Sequence, residues 1–304
     1  MILRNSLLFL SRQKQLRRWM ETSSASARLT KRFVAGETLD EGLAVCRKLY
    51  SEKILATLDH LGENVTSLEE AQASTAIALE AIRRIADVKL PSTISIKLTQ
   101  FGMDLSASAC EANVAQLVET AKSLGSYVEI DMEGSEYVDR TLTIVNRLHD
   151  RYQAVRSVIQ AYLYRSEKDV LALSDRGIPI RLCKGAYQEP ADIAFPEKAK
   201  VDENYKHLTR LLMEKGKFPA IASHDPNMLQ AAKQYATEFH IPLDGFEFQM
   251  LYGVRRDLQK ELVDSGHRLR LYVPYGDAWY PYFMRRLAER PANVLFLART
   301  MLQK

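Results

Sequence analysis

The sequence predicts an α/β protein built as a (β/α)8 barrel of the TIM type. From Ala56 onward, short runs with strand composition alternate with longer runs of helical periodicity, and no Gly/Ser-rich or Pro-rich linker interrupts them. Alternation of this kind implies a parallel sheet. Eight repeats within a chain of 304 residues favour a closed barrel over an open sheet.

Eight strands are predicted, each a short run rich in β-branched, aliphatic or aromatic residues. No GxGxxG or GxxxxGK(S/T) motif follows any of them, so the phosphate-binding fingerprints of open-sheet nucleotide folds are absent. The predicted strands are ATLDHLGE (56–63), TISIKLTQFG (93–102), YVEIDME (127–133), SVIQAYL (157–163), IPIRLCKGAY (178–187), PAIASH (219–224), FEFQML (246–251) and RLRLYVPYG (268–276).

Helices predicted between the strands begin and end at recognisable signals. Ser67 and Glu70 have capping-box spacing at the start of a helix over 67–88, and Gly125 is positioned to end a helix over 111–125. Each helix lies between two consecutive strands, as parallel pairing requires. Further helical patterns cover 137–152, 204–217 and 226–240.

Each predicted strand begins apolar and carries a polar or charged residue towards its end. In a parallel barrel these ends surround one mouth, which is where the active sites of such barrels lie. A charged side chain in a barrel wall is costly unless it is paired or used. The pattern therefore predicts a functional site at this mouth, formed by Asp59, Lys97, Asp131, Gln160, Arg181, Lys184, His224, Gln249 and Tyr272.

Positive charge is concentrated in residues 1–36. This N-terminal arm holds eight Lys or Arg residues and one acidic residue, Glu21, so it carries +7, whereas the remaining 34 basic and 37 acidic residues give −3. We expect residues 1–36 to form a basic helical arm and residues 37–304 to form a single barrel domain. The net charge of +4 is therefore a property of the arm.

The arm has three alternative interpretations. Leu3, Leu7 and Leu10 fall on one helical face beside a basic face that carries Lys14 and Arg17, which suits an anionic membrane surface. The same Arg-rich, Ser-rich and acid-poor composition is typical of mitochondrial transit peptides. The third interpretation is a basic helix that packs on the body of the chain.

Cysteine usage and hydropathy bear on the compartment. Cys46, Cys110 and Cys183 include no pair at CxxC spacing, which argues against a disulfide framework and a structural zinc site. The longest apolar runs are far shorter than the roughly 20 residues that a membrane-spanning helix needs. We expect a cytoplasmic protein, with a peripheral contact at the inner face of the membrane as one role for the arm.

Six stretches of the chain form a recognisable series, in order and with plausible spacing. They are RFVAGET (32–38), IDMEGS (130–135), QAYL (160–163), RLCKGAY (181–187), FEFQMLYG (246–253) and YVPYGDAWYPYFMRRLAER (272–290). Together they resemble the proline dehydrogenase family in its short monofunctional bacterial form, which is related to the proline dehydrogenase domain of bifunctional PutA proteins. The last two stretches are long enough to be specific.

The resemblance implies a distorted (β/α)8 barrel that binds FAD without a covalent bond, with the final helix lying over the barrel mouth. It implies oxidation of L-proline to 1-pyrroline-5-carboxylate by hydride transfer from C5 to flavin N5, the first step of proline degradation to glutamate. A membrane quinone is the implied electron acceptor. A homo-oligomer is compatible with the sequence, and nucleic acid is not an expected partner because the body is acidic and lacks aromatic–basic interleaving.

The resemblance assigns a set of residues to the substrate. Arg285 and Arg286 would clamp the proline carboxylate, since guanidinium groups make charge-assisted and often bidentate hydrogen bonds to carboxylates. Lys97 would supply a third positive group. The walls of the proline pocket and an acid that organises it are assigned to Leu251, Tyr272, Tyr282 and Asp131.

A second set is assigned to the cofactor. Arg181 matches an arginine near flavin N5, where a positive charge would stabilise the reduced anion. Gln160 matches an amide at the isoalloxazine edge, and Ser223 keeps a hydroxyl where the family pattern has threonine. The remaining implied cofactor contacts are Lys184, Gly185, Tyr187, His224 and Glu289.

Two other enzyme classes and one non-enzyme class fit parts of the sequence. A Schiff-base aldolase would use Lys97 or Lys184 as its nucleophile. A metal-dependent hydrolase lacks an HxH motif at the first strand and has six histidines in all to draw on; its ligands would come from His224, Asp225, Asp131 and Asp59. A membrane- or nucleic-acid-binding protein would explain the arm and leave the barrel mouth without a role.

Overall fold

The architecture is a closed parallel barrel, seen in a computed structural model that describes residues 32–62, 64–280 and 282. Eight strands lie in sequence order around it, each hydrogen-bonded to the next, and the first strand pairs in parallel with the eighth. This confirms the predicted (β/α)8 fold. Residues 1–31, most of the predicted basic arm, lie outside the described residues.

The strands overlap all eight runs predicted for them, although each strand is shorter than its run. Polar residues that follow a strand in the sequence often lie in the connection after it. The strands are β1 (Leu55–His60), β2 (Thr93–Ile96), β3 (Val128–Ile130), β4 (Val155–Gln160), β5 (Ile180–Cys183), β6 (Ala220–Ala222), β7 (Glu247–Leu251) and β8 (Leu269–Tyr275).

Helices alternate with the strands and cover the outside of the barrel. In the described part of the chain they are α1 (Leu39–Ser51), α2 (Leu68–Asp87), α3 (Ala107–Ser123), α4 (Val138–Tyr152), α5 (Ser166–Asp175), α6 (Lys198–Lys215), α7 (Pro226–Glu238) and α8 (Arg256–Asp264). Short 3-10 helices cover Leu98–Phe101 and Ser135–Tyr137. The five predicted helices correspond to α2, α3, α4, α6 and α7, whereas α1, α5 and α8 lie outside the runs predicted as helical.

One of the two hydrogen bonds of the capping box predicted for α2 is present. The side chain of Ser67 accepts a hydrogen bond from the backbone N–H of Glu70 at 3.3 Å. The carboxylate of Glu70 reaches one residue further back, where it accepts from the backbone N–H of Thr66 at 2.7 Å. Both bonds stabilise the first turn, because they satisfy donors that the helix leaves without intrahelical partners.

The segment before α1 is fixed to the mouth end of β8. The N–H of Ala35 donates to the carbonyl of Pro274 at 2.8 Å, and the N–H of Gly276 donates to the carbonyl of Gly36 at 3.0 Å. α1 then packs on the outside of β1 and β8, where the side chains of Leu58 and Tyr275 leave so little room that Gly42 carries none. The chain therefore enters the barrel domain beside its mouth.

The lower part of the barrel interior holds buried charges. Arg156, Arg270, Glu129 and Glu247 are each at most 2% exposed. Arg270 Nε donates to Glu247 Oε1 at 3.0 Å, and Arg156 Nη1 donates to the same oxygen at 2.5 Å. Burial opposes ionisation of Glu247, but the two guanidinium groups outweigh it and hold its pKa far below the usual range. This paired network forms the floor beneath the mouth.

Candidate functional site

Lys97 lies directly after β2 and is the centre of the site. Its Nζ is 3.2 Å from Asp59 Oδ1, 3.3 Å from Asp131 Oδ2 and 3.2 Å from the hydroxyl of Tyr272. These contacts bring together side chains from the ends of β1, β2 and β3 with one from β8. Three of the residues assigned to the substrate, Lys97, Asp131 and Tyr272, therefore touch one another.

Asp131 is held by donors on both oxygens. Oδ1 accepts from Ser95 Oγ at 2.8 Å and from Arg181 Nη1 at 2.7 Å, and Oδ2 accepts from the hydroxyl of Tyr272 at 2.7 Å and from Lys97. Burial alone would raise the pKa of this carboxyl, but the positive charges of Lys97 and Arg181 outweigh burial and lower its pKa. Asp131 is thus an ionised carboxylate in a fixed position.

Asp59 has the opposite character. It is 1% exposed, and Lys97 Nζ is also shared with Asp131. Burial raises the pKa of Asp59; Lys97 opposes that shift and the carboxylate of Asp131 adds to it. Sequence reasoning placed Asp59 in the polar ring but gave it no part in the proline reaction.

Arg181 points into the barrel from β5 and joins the mouth to its floor. Besides Asp131, it contacts Glu129, to which Nε donates at 3.1 Å. Its guanidinium lies over the Tyr272 ring, 5.3 Å from the centroid. Glu129 was missed by sequence reasoning, although its spacing of two residues from Asp131 on one strand puts both on the inner face.

Gln160, the last residue of β4, is buried with one end of its amide satisfied. Nε2 donates to the backbone carbonyls of Met132 at 2.8 Å and Glu133 at 3.0 Å, which lie just beyond β3. Oε1 has no hydrogen-bond partner in the described part of the chain. A buried carbonyl oxygen without a donor marks a position where a ligand group can bind.

His224 links the ends of β6 and β7. Its Nε2 accepts a hydrogen bond from the backbone N–H of Leu251 at 2.8 Å, so in the neutral ring the hydrogen is on Nδ1. Ser223 Oγ accepts from the N–H of Asp225 at 3.1 Å. Leu251 pairs with Tyr272 in the register of β7 with β8, which places two predicted pocket residues side by side.

Lys184 lies just beyond β5 between two carboxylates. Its Nζ contacts Asp202 on α6 and Asp225 at the start of α7, the latter at 2.9 Å. Asp225 also caps α7 by accepting from the N–H of Asn227 at 3.1 Å. The three groups are each only partly buried, so they form a charged rim on this side of the mouth.

Gly185 has a backbone conformation that favours glycine, with φ of +110°. A Cβ built on it would lie 2.2 Å from Cδ1 of Tyr162. The ring of Tyr162 therefore fills the space beside Gly185, while Tyr187 further along the loop is exposed. The same loop is tied to the end of β3, since Glu189 accepts from the backbone N–H of Ser135 at 2.8 Å.

The remaining assigned residues lie towards the C-terminus. Tyr282 is buried, at 6% exposure. Of the final helix that the resemblance implies, residues 279, 280 and 282 are described and are helical, whereas Arg285, Arg286 and Glu289 lie outside the described residues. Their roles stay predictions.

The geometry bears on the alternative enzyme classes. Lys97 and Lys184 each pair with two carboxylates, so both amines are engaged in ion pairs and neither is placed as a Schiff-base nucleophile. His224 is bonded to a backbone N–H and Asp225 to Lys184, so these two do not converge with Asp131. In the described part of the chain, no group of three or more His, Cys, Asp or Glu side chains is arranged to hold a metal ion. No helix among the described residues is long and apolar enough to cross a membrane.

Comparison with known proteins finds relatives along the whole length of the chain. The chain is 41% identical over 308 residues to proline dehydrogenase 2 of Bacillus subtilis, covering all of both chains. It is 38% identical over 280 residues to the proline dehydrogenase of Deinococcus radiodurans, covering 90% of each.

A solved structure matches as well. It is proline utilization A (PutA) from Bdellovibrio bacteriovorus inactivated by N-propargylglycine, with a TM-score of 0.82 and 30% identity. The match covers 90% of this chain and 34% of that one, so the chain spans about a third of the PutA protein. A family model described as proline dehydrogenase matches residues 43–299. On this match and on its identity to full-length relatives, the chain belongs to the proline dehydrogenase family.

Proposed function

We propose that this chain oxidises L-proline to 1-pyrroline-5-carboxylate with FAD as its cofactor and passes the electrons to a quinone. The observation that carries the proposal is the meeting of Lys97, Asp131 and Tyr272 at the barrel mouth, because the family resemblance assigns these three residues to the substrate. Membership of the family supports the same activity.

The charges at the mouth suit a zwitterionic amino acid. Lys97 and Arg181 provide positive charge, and Asp59 and Asp131 provide negative charge, within one hydrogen-bonded cluster. A ligand with a carboxylate next to an ammonium group finds partners of both signs there. Tyr272 and Leu251 add an aromatic and an aliphatic surface for the apolar part of the pyrrolidine ring.

One structural test supports a flavin at this mouth. The buried Oε1 of Gln160 needs a hydrogen-bond donor, and the flavin ring edge presents both N–H and C=O groups. When bound, FAD supplies the acceptor for the hydride that leaves C5 of proline. The residues that would hold it are Gln160, Arg181, Lys184, Gly185, Tyr187, Ser223, His224 and Glu289.

Spectroscopy of the purified protein tests cofactor and substrate together. We expect visible flavin absorption that bleaches when L-proline is added without oxygen. Tetrahydrofuran-2-carboxylate keeps the carboxylate and has no oxidisable C5–N bond, so it should perturb the flavin bands without bleaching them. A colourless protein that borohydride traps on its substrate would instead favour a Schiff-base enzyme.

The paired arginines test the substrate assignment. If Arg285 and Arg286 hold the carboxylate, Arg285→Lys and Arg286→Lys should each weaken proline binding about tenfold to more than a hundredfold, because lysine keeps the charge and loses the fork. Arg147→Lys is a matched control, since its side chain is 63% exposed on α4. Unchanged proline kinetics in both lysine variants would contradict the assignment.

The quinone and the membrane are tested through the arm. We propose that residues 1–19 contact an anionic membrane, which the concentration of basic residues in the arm supports. A truncation that starts at Ser26 should keep activity with a soluble dye acceptor and lose binding to anionic vesicles. Equal vesicle binding by the truncated and full-length proteins would overturn this role.

A further inference from the structure

The two carboxylates beside Lys97 are unequally provided with hydrogen-bond donors. Asp131 accepts four hydrogen bonds, two on each oxygen. Asp59 receives Lys97 Nζ, at 3.2 Å from Oδ1 and 3.4 Å from Oδ2, and it also faces the Tyr272 hydroxyl, which donates its hydrogen to Asp131 at 2.7 Å. A carboxylate needs donors to remain ionised inside a protein, so Asp131 is the better stabilised anion of the two.

Burial increases the difference. Asp59 is 1% exposed, and it shares its lysine with Asp131. Arg181 gives Asp131 a second cation, whereas in the described part of the chain Asp59 has the shared Lys97 alone, so ionising Asp59 is the costlier of the two. Environments that separate the pKa values of two neighbouring acids define which one carries a proton, and here burial raises the pKa of Asp59 while that of Asp131 is lowered.

The proposed reaction must dispose of one proton. Proline with a protonated ring nitrogen loses one proton from that nitrogen and a hydride from C5, which leaves the protonated form of the cyclic imine. We propose that Asp59 accepts, through Lys97, the proton that leaves the ring nitrogen of proline. The inference rests on the proposed function and adds the destination of this proton to it.

One N–H bond of the ring ammonium breaks, and its electron pair forms the C=N bond as the hydride leaves C5; bound FAD would supply the hydride acceptor, and the product is the protonated imine. Lys97 gives one of its three hydrogens to an oxygen of Asp59 and takes the proton from the substrate nitrogen. Lys97 thus ends with its original charge, and the net change in the protein is a new O–H bond on Asp59.

Other groups near Asp59 are less suited to the task. Asp131 is occupied by four donors, and burial together with the negative charges of Asp131 and Asp59 holds the pKa of Tyr272 well above its ordinary value, so Tyr272 stays protonated. His60 is the next residue on β1, and burial lowers its pKa. The titratable and charged groups that face Asp59 are Lys97 beyond β2, Asp131 beyond β3, Tyr272 and Tyr275 on β8, and His60 on β1.

The test is the pH dependence of flavin reduction by proline, measured in the holoenzyme by anaerobic stopped flow. The wild-type rate should rise with pH and level off once Asp59 is ionised. Asp59→Asn should be slower by about a hundredfold and should not level off, because the proton must then go to solvent. Asp59→Glu should level off again at a shifted midpoint, and His60→Gln should keep the wild-type profile.

Two measurements separate proton transfer from a structural role. Infrared difference spectra of the wild type should gain a protonated-carboxyl band on reduction by proline, and Asp59→Asn should lack it. Tetrahydrofuran-2-carboxylate should bind Asp59→Asn as tightly as the wild type, since the carboxylate-binding groups are untouched. If Asp59→Asn does not fold, a shift of the infrared band in Asp59→Glu gives the same information.

Results that contradict the role of Asp59 differ from those that contradict the proposed function. A wild-type pH profile in Asp59→Asn, a protonated-carboxyl band that persists in that variant, or loss of the wild-type profile in His60→Gln would overturn the role of Asp59. Failure of proline to reduce the wild-type flavin at any pH would contradict the proposed function itself.

Discussion

Arg181 and Glu129 are joined by two hydrogen bonds inside the barrel, from Nε at 3.1 Å and from Nη2 at 2.5 Å to the same carboxylate oxygen. Burial opposes both charges, yet their attraction prevails: the pKa of Arg181 is raised and that of Glu129 is lowered. Arg181, which the resemblance assigns to the cofactor, therefore also stabilises the interior of the barrel.

Arg181→Met should cost about 3–5 kcal/mol of unfolding free energy, because it leaves Glu129 buried without its main cation and removes one of the two cations that Asp131 contacts. Denaturant unfolding would measure this. Arg84→Met is the control: Arg84 also pairs with two carboxylates, Asp40 and Glu80, but all three side chains are at least 39% exposed, so a far smaller loss of unfolding free energy is expected. Equal costs for the two variants would show that the interior pair contributes little.

Two tyrosines of β8 make a second comparison. The hydroxyl of Tyr272 donates to Asp131, whereas that of Tyr275 is buried without a hydrogen-bond partner in the described part of the chain. Tyr272→Phe should destabilise the protein by about 1.5–3 kcal/mol, the contribution of a bond to a charged group. Tyr275→Phe removes an unsatisfied group and should be neutral or stabilising. Denaturant unfolding of both variants measures the two changes in stability. A larger loss of unfolding free energy in Tyr275→Phe than in Tyr272→Phe would contradict this expectation.

Much of the fold was predictable because it depends on local signals. Strand-like and helix-like segments alternate along the sequence, so the eight strands and the closed barrel could be predicted from it. Helices α1, α5 and α8 were missed; α5 and α8 have only 10 and 9 residues, so each offers few turns over which a helical pattern can repeat. The capping box predicted for α2 was half right, because the backbone N–H of Thr66, and not that of Ser67, donates to the Glu70 carboxylate.

The candidate site was predictable for the residues at strand ends and less so for their partners. Lys97, Asp131 and Tyr272 were expected at one mouth, and the structure brings them into contact. Glu129 and Asp59 depend on which strands face each other across the barrel and on how many donors each acid finds. The position of Glu129 on the inner face and of Asp59 at the mouth could be predicted from local spacing, but the contacts and charge states of these acids are properties of the closed barrel.

The buried acids predict how stability depends on pH. Glu129, Asp131 and Glu247 have lowered pKa values, so the unfolded chain binds more protons than the folded one as the pH falls below the ordinary carboxyl pKa of about 4. Their stabilisation is complete above that pH and is lost below it, by up to about 1.4 kcal/mol per pH unit for each proton. Denaturant unfolding between pH 7 and about 3 would measure the slope.

Asp59 should act in the opposite direction. Its raised pKa means that the folded chain holds a proton that the unfolded chain has already released, so its contribution is present below the ordinary carboxyl pKa and is lost as the pH rises through the raised value. Asp59→Asn should therefore lose less stability than the wild type between about pH 4 and neutrality. The same pH dependence in both proteins would show that Asp59 is ionised throughout this range.

Gly185 gives the sharpest test of the loop beside the mouth. Alanine there must adopt a φ of +110°, which costs about 1–3 kcal/mol, and its Cβ would lie 2.2 Å from Cδ1 of Tyr162, which forces the ring to move at a similar further cost. Gly125→Ala is a matched control, because Gly125 also has a positive φ, +69°, but no atom lies within 4 Å of its Cβ position. We expect Gly125→Ala to lose only about 1 kcal/mol and Gly185→Ala several times as much in denaturant unfolding. Since Lys184 precedes Gly185 and would hold FAD, Gly185→Ala should also purify with less bound flavin than Gly125→Ala. Similar stabilities and flavin contents in the two variants would mean that Tyr162 moves aside freely and that this loop does not position the cofactor.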